Sequence, residues 1–252
     1  MKIVRFAIGE KVRFGLLKGE SIQAIAGGPF RYVKPVDRHF LLNDVRLLAP
    51  CEPSKIVAVG LNYRSHAEET NSPIPEVPLI FFKPSTAVIG PEDKIIYPNF
   101  SNRVDYECEL GVVIKKPAWR VSKEKALDYV LGYTGFNDIT ARDIQNKDKQ
   151  WTRAKGFDTS AAIGPCIETD LDPANVTVMT YLNGELKQKG NTRDLIYPIP
   201  ELINFITQGI TLLPGDVIAT GTPAGIGPMQ SGDTVEVKIE QIGTLRNYLI
   251  KG

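Results

Sequence analysis

The chain has 252 residues, a formal net charge of +1 and 42% hydrophobic residues. That length suits one large domain or one domain with a small appendage, and the composition supplies a real core. A near-neutral charge offers no field for nucleic acid or an anionic membrane, and no run approaches the ~18 consecutive apolar residues of a membrane span. Met1-Lys2-Ile3-Val4-Arg5-Phe6 lacks the apolar core of a secretion signal. Cys51, Cys108 and Cys166 are widely spaced, with no Cys-x-x-Cys, so they read as buried reduced thiols of a cytoplasmic protein.

Residues 1–50 read as a small β-rich module. Lys2–Ala7, Lys11–Leu17 and Ser21–Ile25 are strand-like runs broken by Gly9, Gly15 and Gly19. Pro50 and Pro53 mark an extended connection into a main domain over 51–252. There, Ile56–Val59 fits a buried strand, Asn62–Glu69 a short polar helix, and Asn71–Pro78 a loop with three prolines. Leu79–Phe82 and Val104–Ile114 read as strands. Ser122 is expected to cap a helix through Val130, with Gly132 as its stop. Asn183-Gly184 predicts a hairpin turn between Val176–Asn183 and Gly184–Lys187. Pro200 opens a helix through Gln208, closed by Gly209. Asp216–Thr220, Thr234–Glu240 and Leu245–Leu249 are the last strands. Strands dominate and no βαβ alternation appears, which predicts an α+β fold with a closed or rolled β core rather than a Rossmann or TIM architecture.

Four segments carry chemistry. In Asp105-Tyr106-Glu107-Cys108-Glu109, strand alternation puts Asp105, Glu107 and Glu109 on one face. Such a pattern alone describes a solvated face, but three acids in a row repel one another, and a cation between them removes the repulsion. Asp138 follows at the end of an apolar run, so two carboxylates from one strand and one from a neighbour suit a hard ion such as Mg²⁺. In Asn62–Glu69, His66 and Glu69 share a helix face, and a carboxylate on one ring nitrogen leaves the other free as a general base. Lys155, beside Gly156, could bind a carboxylate or face solvent. Thr220–Gly227 is glycine-rich and allows close backbone approach, but lacks the ending of a phosphate loop. His39 has no partner in sequence and reads as a surface residue.

Taken in order, Asn-Tyr-x-x-His-x-x-Glu, Asp-Tyr-Glu-x-Glu-Leu, Asn-Asp-x-Thr-Ala-Arg-Asp, Ala-Lys-Gly and Thr-Gly-Thr-Pro-x-Gly resemble the fumarylacetoacetate hydrolase family from about Ser54 to the C-terminus. The first residues resemble the small N-terminal module of its longer bacterial members. The resemblance implies a strand-dominated mixed β-roll or β-sandwich core, a homodimer and a divalent ion, Mg²⁺ or Mn²⁺, in each site. It implies that Glu107, Glu109 and Asp138 are metal ligands, that His66 and Glu69 form a lid dyad, and that Lys155 stands near the metal. Arg142, Gln145 and Thr222 fall at or beside substrate positions. Arg193 stands where the family often has a small residue.

The implied substrates are 2-oxo or 2-enol acids, often diacids, cleaved beside an enolate by acylpyruvate-type hydrolysis or oxaloacetate-type decarboxylation. Isomerisation of a 2-hydroxyhepta-2,4-diene-1,7-dioate-type compound, as in aromatic catabolism, is the alternative. A non-catalytic binder of metal and 2-oxo acid is the rival from another class, and intact His66, Glu69 and Lys155 argue against it.

Overall fold

The computed structural model describes residues 1–252. Its strands form sheets of twelve, five and three members. The centre of the largest is Cys108–Ile114, Val130–Asp138 and Ala161–Glu168, paired antiparallel. Every residue of Cys108–Ile114 is buried, because both faces of this sheet are covered. That is why the segment reads as a continuous apolar run. Val217–Ala219, Lys55–Gly60 and Leu79–Pro84 extend the sheet on one side.

On the other side Lys2–Ile8 pairs with Ala161–Glu168, placing Lys2 opposite Glu168. Lys11–Lys18, Ser21–Ala26 and Lys34–Leu41 continue outward as an antiparallel meander. The first strands therefore prolong the main sheet. The loop after Ser21–Ala26 reaches back toward the far half of that sheet: a Cβ on Gly215, just before Val217–Ala219, would stand 3.4 Å from the Phe30 ring.

The five-stranded sheet runs Glu185–Asn191, Thr177–Leu182, Thr234–Ile239, Gly243–Lys251, Lys94–Tyr97. Its Val178, Val237 and Leu245 join Leu110, Val112 and Ile114 in the main core. Val113 points the other way and joins Ile56, Phe136, Ile163 and Val217 in a second cluster, as the period of two requires. The expected hairpin is present, with Asn183 and Gly184 both at positive φ (52° and 82°), the backbone that a two-residue turn demands. Helix Ile199–Gly209 also matches expectation and seats Leu202, Ile203 and Ile206 in the core.

Several elements differ from the sequence reading, among them strands Lys34–Leu41 and Lys94–Tyr97, which it does not contain. The helix expected from Ser122 is a 3-10 segment, Lys123–Tyr129, with no side-chain cap. Gly132 does not stop it but lies inside strand Val130–Asp138, where a Cβ would stand 2.5 Å from the Glu168 carbonyl oxygen. The glycine is there for close strand approach. Strand Ala161–Glu168 went unread because Gly164-Pro165 interrupts it, and proline inside a run argues against a central strand. No helix is long and apolar enough to cross a membrane.

Candidate active site

Strand Val104–Tyr106 belongs to the three-stranded sheet and Cys108–Ile114 to the large one, so the chain changes sheets at Glu107. The regular alternation breaks there, which corrects the expectation of three acids on one face. Asp105 turns to Arg103 and Arg142, each Nε at 2.9 Å. Glu107 and Glu109 turn instead toward Asp138, the last residue of Val130–Asp138. One carboxylate oxygen from each lies within 4.8 Å of the others, and all three side chains are buried. Backbone bonds hold this corner. The Glu107 N–H donates to Asn137 Oδ1 at 3.0 Å, and the Asp138 N–H donates to the Glu107 carbonyl at 2.9 Å.

Three cations surround the triad. Lys155 Nζ bridges Glu107 Oε2 and Asp138 Oδ2, at 2.7 Å each. Arg142 donates to Glu107 Oε1, to Asp105 and to Gln145 Oε1. Lys83, fully buried, donates to Asp138 Oδ1 at 2.5 Å. Lys83 was missed by the sequence reading, although it shares a strand face with Phe81, which lines the same cavity.

The electrostatics follow from this distribution. Burial pushes the Glu107 carboxyl up, but Lys155 and Arg142 outweigh it and hold the group below the usual range. Burial pulls the Lys155 ammonium down, yet Asp138 and Glu107 raise it overall. Lys83 goes the other way: burial lowers it further than Asp138 restores. Glu109 receives no cation in contact, only the Gly221 N–H at 2.8 Å. Burial, then Asp138 and Glu107, push its carboxyl well above the ordinary value.

Helix Arg64–Glu69 supplies the dyad. His66 Nδ1 lies 3.1 Å from Glu69 Oε2, and His66 is buried. Glu69 Oε1 accepts the Gly225 N–H at 2.9 Å. The glycine-rich loop thus places its backbone against two protein carboxylates, Glu109 and Glu69, through glycines at φ 100° and 102°.

These groups open on a cavity of about 260 Å³. Its lining includes His66, the three carboxylates, Arg142, Gln145, Lys155 and Thr222, with Phe81 and Trp151 as an apolar wall. Glu69 stands behind His66. Arg193 is outside the lining, exposed, and donates to Asn175 Oδ1 at 2.8 Å. His39 is exposed, 4.0 Å from Asp37. The triad has the donor chemistry of a hard divalent site: all oxygen, buried, and with no cation in contact with Glu109.

The fumarylacetoacetate (FAA) hydrolase C-terminal family model matches residues 55–250, and the Rv2993c-like N-terminal model matches residues 1–50. Protein Rv2993c of Mycobacterium tuberculosis is 44% identical over 261 residues, covering 100% of this chain and 98% of that one. Oxaloacetate tautomerase YisK of Bacillus subtilis is 44% identical over 225 residues, covering 83% of this chain and 75% of that one. The crystal structure of 5-carboxymethyl-2-hydroxymuconate delta-isomerase from Mycobacterium smegmatis superposes with a TM-score of 0.94 at 44% identity, covering 100% of both chains. The chain therefore belongs to the fumarylacetoacetate hydrolase family, as a member with a small N-terminal module of the Rv2993c-like type.

Proposed function

We propose that this protein is a metal-dependent enzyme that moves a proton at the carbon beside the oxo group of a 2-oxo or 2-enol diacid, as a tautomerase or isomerase. One observation carries the reading: His66, held by Glu69, opens on the same cavity as the buried triad. The names of the B. subtilis relative and the M. smegmatis structure, a tautomerase and an isomerase, support it.

Glu107, Glu109 and Asp138 would hold Mg²⁺ or Mn²⁺, and a bound ion supplies stabilisation of negative charge developing on the substrate's oxo oxygen. Glu69 accepts from Nδ1 of His66, so Nε2 is the nitrogen that takes and returns the proton. Arg142 and Lys155 keep the carboxylates in place and add positive potential toward an anionic substrate. Phe81 and Trp151 exclude water from one wall. Gln145 and Thr222 line the cavity with polar groups and orient the substrate's carboxylates.

A second reading is C–C cleavage, by hydrolysis of an acylpyruvate or decarboxylation of oxaloacetate. Thr70 and Ser72, just beyond the His66 helix, line the cavity with hydroxyls that would hold a water for the same base. The test is enol–keto interconversion of oxaloacetate, followed by ultraviolet absorbance, with pyruvate release measured in the same samples and from fumarylpyruvate. EDTA-sensitive interconversion above the spontaneous rate, without pyruvate, is the expected result. EDTA-sensitive pyruvate release installs the second reading, and silence in both leaves a binder. We also read the protein as a homodimer. Edge strand Leu79–Pro84 pairs on one side only and leaves Phe82 49% and Leu79 39% exposed. A monomer by sedimentation at micromolar concentration would overturn that reading.

A further inference from the structure

Resting on the metal-site reading above, we propose that Gln188 is a positioning residue that sets the metal ligands and the His66–Glu69 dyad as one rigid unit. Gln188 lies in strand Glu185–Asn191 of the five-stranded sheet and is 1% exposed. It touches neither cavity nor dyad. Its amide makes four hydrogen bonds that together join two elements of the site.

Oε1 accepts the Cys108 N–H at 3.0 Å, on the backbone between Glu107 and Glu109, and the Thr180 hydroxyl at 2.8 Å. Nε2 donates to Thr222 Oγ1 and to the Pro223 carbonyl, both at 2.8 Å. The Cys108 bond grips the carboxylate-bearing strand, the Thr180 bond ties Gln188 to its neighbouring strand Thr177–Leu182, and the two Nε2 bonds grip the glycine-rich loop. That loop gives the Gly221 N–H to Glu109 and, four residues on, the Gly225 N–H to Glu69.

A second contact reaches the same point. A Cβ on Gly225 would stand 2.3 Å from the Lys187 carbonyl oxygen, so the loop backbone lies directly on Gln188's own strand. From the other side Asn62 Nδ2 donates to the Thr220 carbonyl at 2.7 Å. The loop is clamped at both flanks, with its Gly221 and Gly225 N–H groups on Glu109 and Glu69 and Thr222 in the cavity lining. Glu109 has no other protein hydrogen bond, so the orientation of this carboxyl depends on the loop's place.

A glutamine suits the role because one amide both donates and accepts in a fixed plane. Glutamate at 188 would keep the acceptors for Cys108 and Thr180 but lose both donors to the loop. Methionine keeps much of the volume and loses all four bonds.

The experiment compares wild type, Gln188→Glu, Gln188→Met and the exposed same-strand control Lys189→Ala. Mn²⁺ affinity is read by electron paramagnetic resonance, and kcat and KM for oxaloacetate interconversion at saturating Mn²⁺. Loss of a hydrogen-bonded support behind a ligand costs about 10- to 100-fold in metal affinity, and that loss is expected in both Gln188 variants. In both, kcat is also expected to stay low when Mn²⁺ saturates, because the detached loop no longer holds Glu69, while KM changes less. Lys189→Ala is expected to match wild type in every readout. Wild-type Mn²⁺ affinity and kcat in either folded Gln188 variant would overturn the proposal. A wild-type protein that binds no Mn²⁺ would overturn the parent reading instead, before any variant is measured.

Discussion

Replacing Glu109 with glutamine should stabilise the metal-free protein while ending metal binding. The three site cations contact Glu107 and Asp138 and leave Glu109 with a single backbone donor. Oxygens of all three carboxylates lie within 4.8 Å of one another. Two like charges at about 5 Å, in an effective dielectric of about 20, repel by roughly 3 kcal/mol. The nearby cations offset part of that, and the alternative of holding a proton on Glu109 costs the fold more as pH rises above the ordinary glutamate value, at about 1.4 kcal/mol per pH unit until the raised value is reached. A gain of about 1–3 kcal/mol at pH 8 in EDTA is therefore expected for Glu109→Gln. Glutamine keeps an oxygen for the Gly221 N–H, and its amide N–H groups face the Glu107 and Asp138 carboxylates within reach of the same cluster.

The sign of the pH dependence sharpens the test. The folded-state value of Glu109 is raised. Its contribution to stability is therefore fully present below the ordinary glutamate value and is lost as pH rises through the raised value. Glutamine does not titrate there, so the advantage of the variant should grow from pH 5 to pH 8. Urea unfolding in EDTA at both values measures it, and Mg²⁺ should stabilise wild type only. A variant less stable than wild type by more than about 1 kcal/mol at pH 8 would mean that the Glu109 charge is compensated in the metal-free fold, and the reasoning would fail.

Three further outcomes follow from the same geometry. Divalent-cation binding should release protons, and more of them as pH is lowered toward the ordinary glutamate value, since the ion competes with a proton on the raised Glu109 carboxyl; calorimetry in buffers of different ionisation enthalpy counts them, and none released across that range would contradict the raised carboxyl. His66→Ala should lower kcat by about 10²–10⁴-fold with Mn²⁺ affinity within a few-fold of wild type, because His66 is outside the carboxylate triad; an equal loss of metal binding would make it a ligand. Gly132→Ala should cost about 1–3 kcal/mol or more in urea unfolding, because its Cβ would stand 2.5 Å from the Glu168 carbonyl oxygen.

How much of this was legible depended on whether the information sits in side chains or in backbone. Glu107, Glu109 and Asp138 stood out because carboxylates inside apolar runs need a reason to be there, and the hairpin because Asn183-Gly184 suits positive φ. Asp105 looked equivalent to the other acids, since alternation cannot reveal that the chain changes sheets at Glu107. The partners of Glu109 and Glu69 are main-chain N–H groups, which every residue owns, so Gly221 and Gly225 announced close approach without saying to what. Lys83 and Gln188 were unread because their partners are 55 and at least 8 residues away in sequence. A buried lysine or glutamine becomes interpretable only once the fold supplies what it faces.

The unequal distribution of charge in the site is itself the argument for its use. A structural cluster of three acids and three cations would pair all of them, because each unpaired buried charge costs several kcal/mol. Here Asp138 takes two lysines, Glu107 takes an arginine and shares one of those lysines, and Glu109 takes none. The shortfall falls on the carboxyl whose orientation is set by the clamped loop and which faces the cavity. Loading a fourth fixed cation there would stabilise the fold and close the position to an exchangeable ion. Leaving it open makes the empty site less stable than it need be and would reserve binding energy for the divalent ion proposed above. The local sacrifice of stability thus marks Glu109, rather than the better-paired Glu107 or Asp138, as the carboxyl where metal occupancy is felt most strongly.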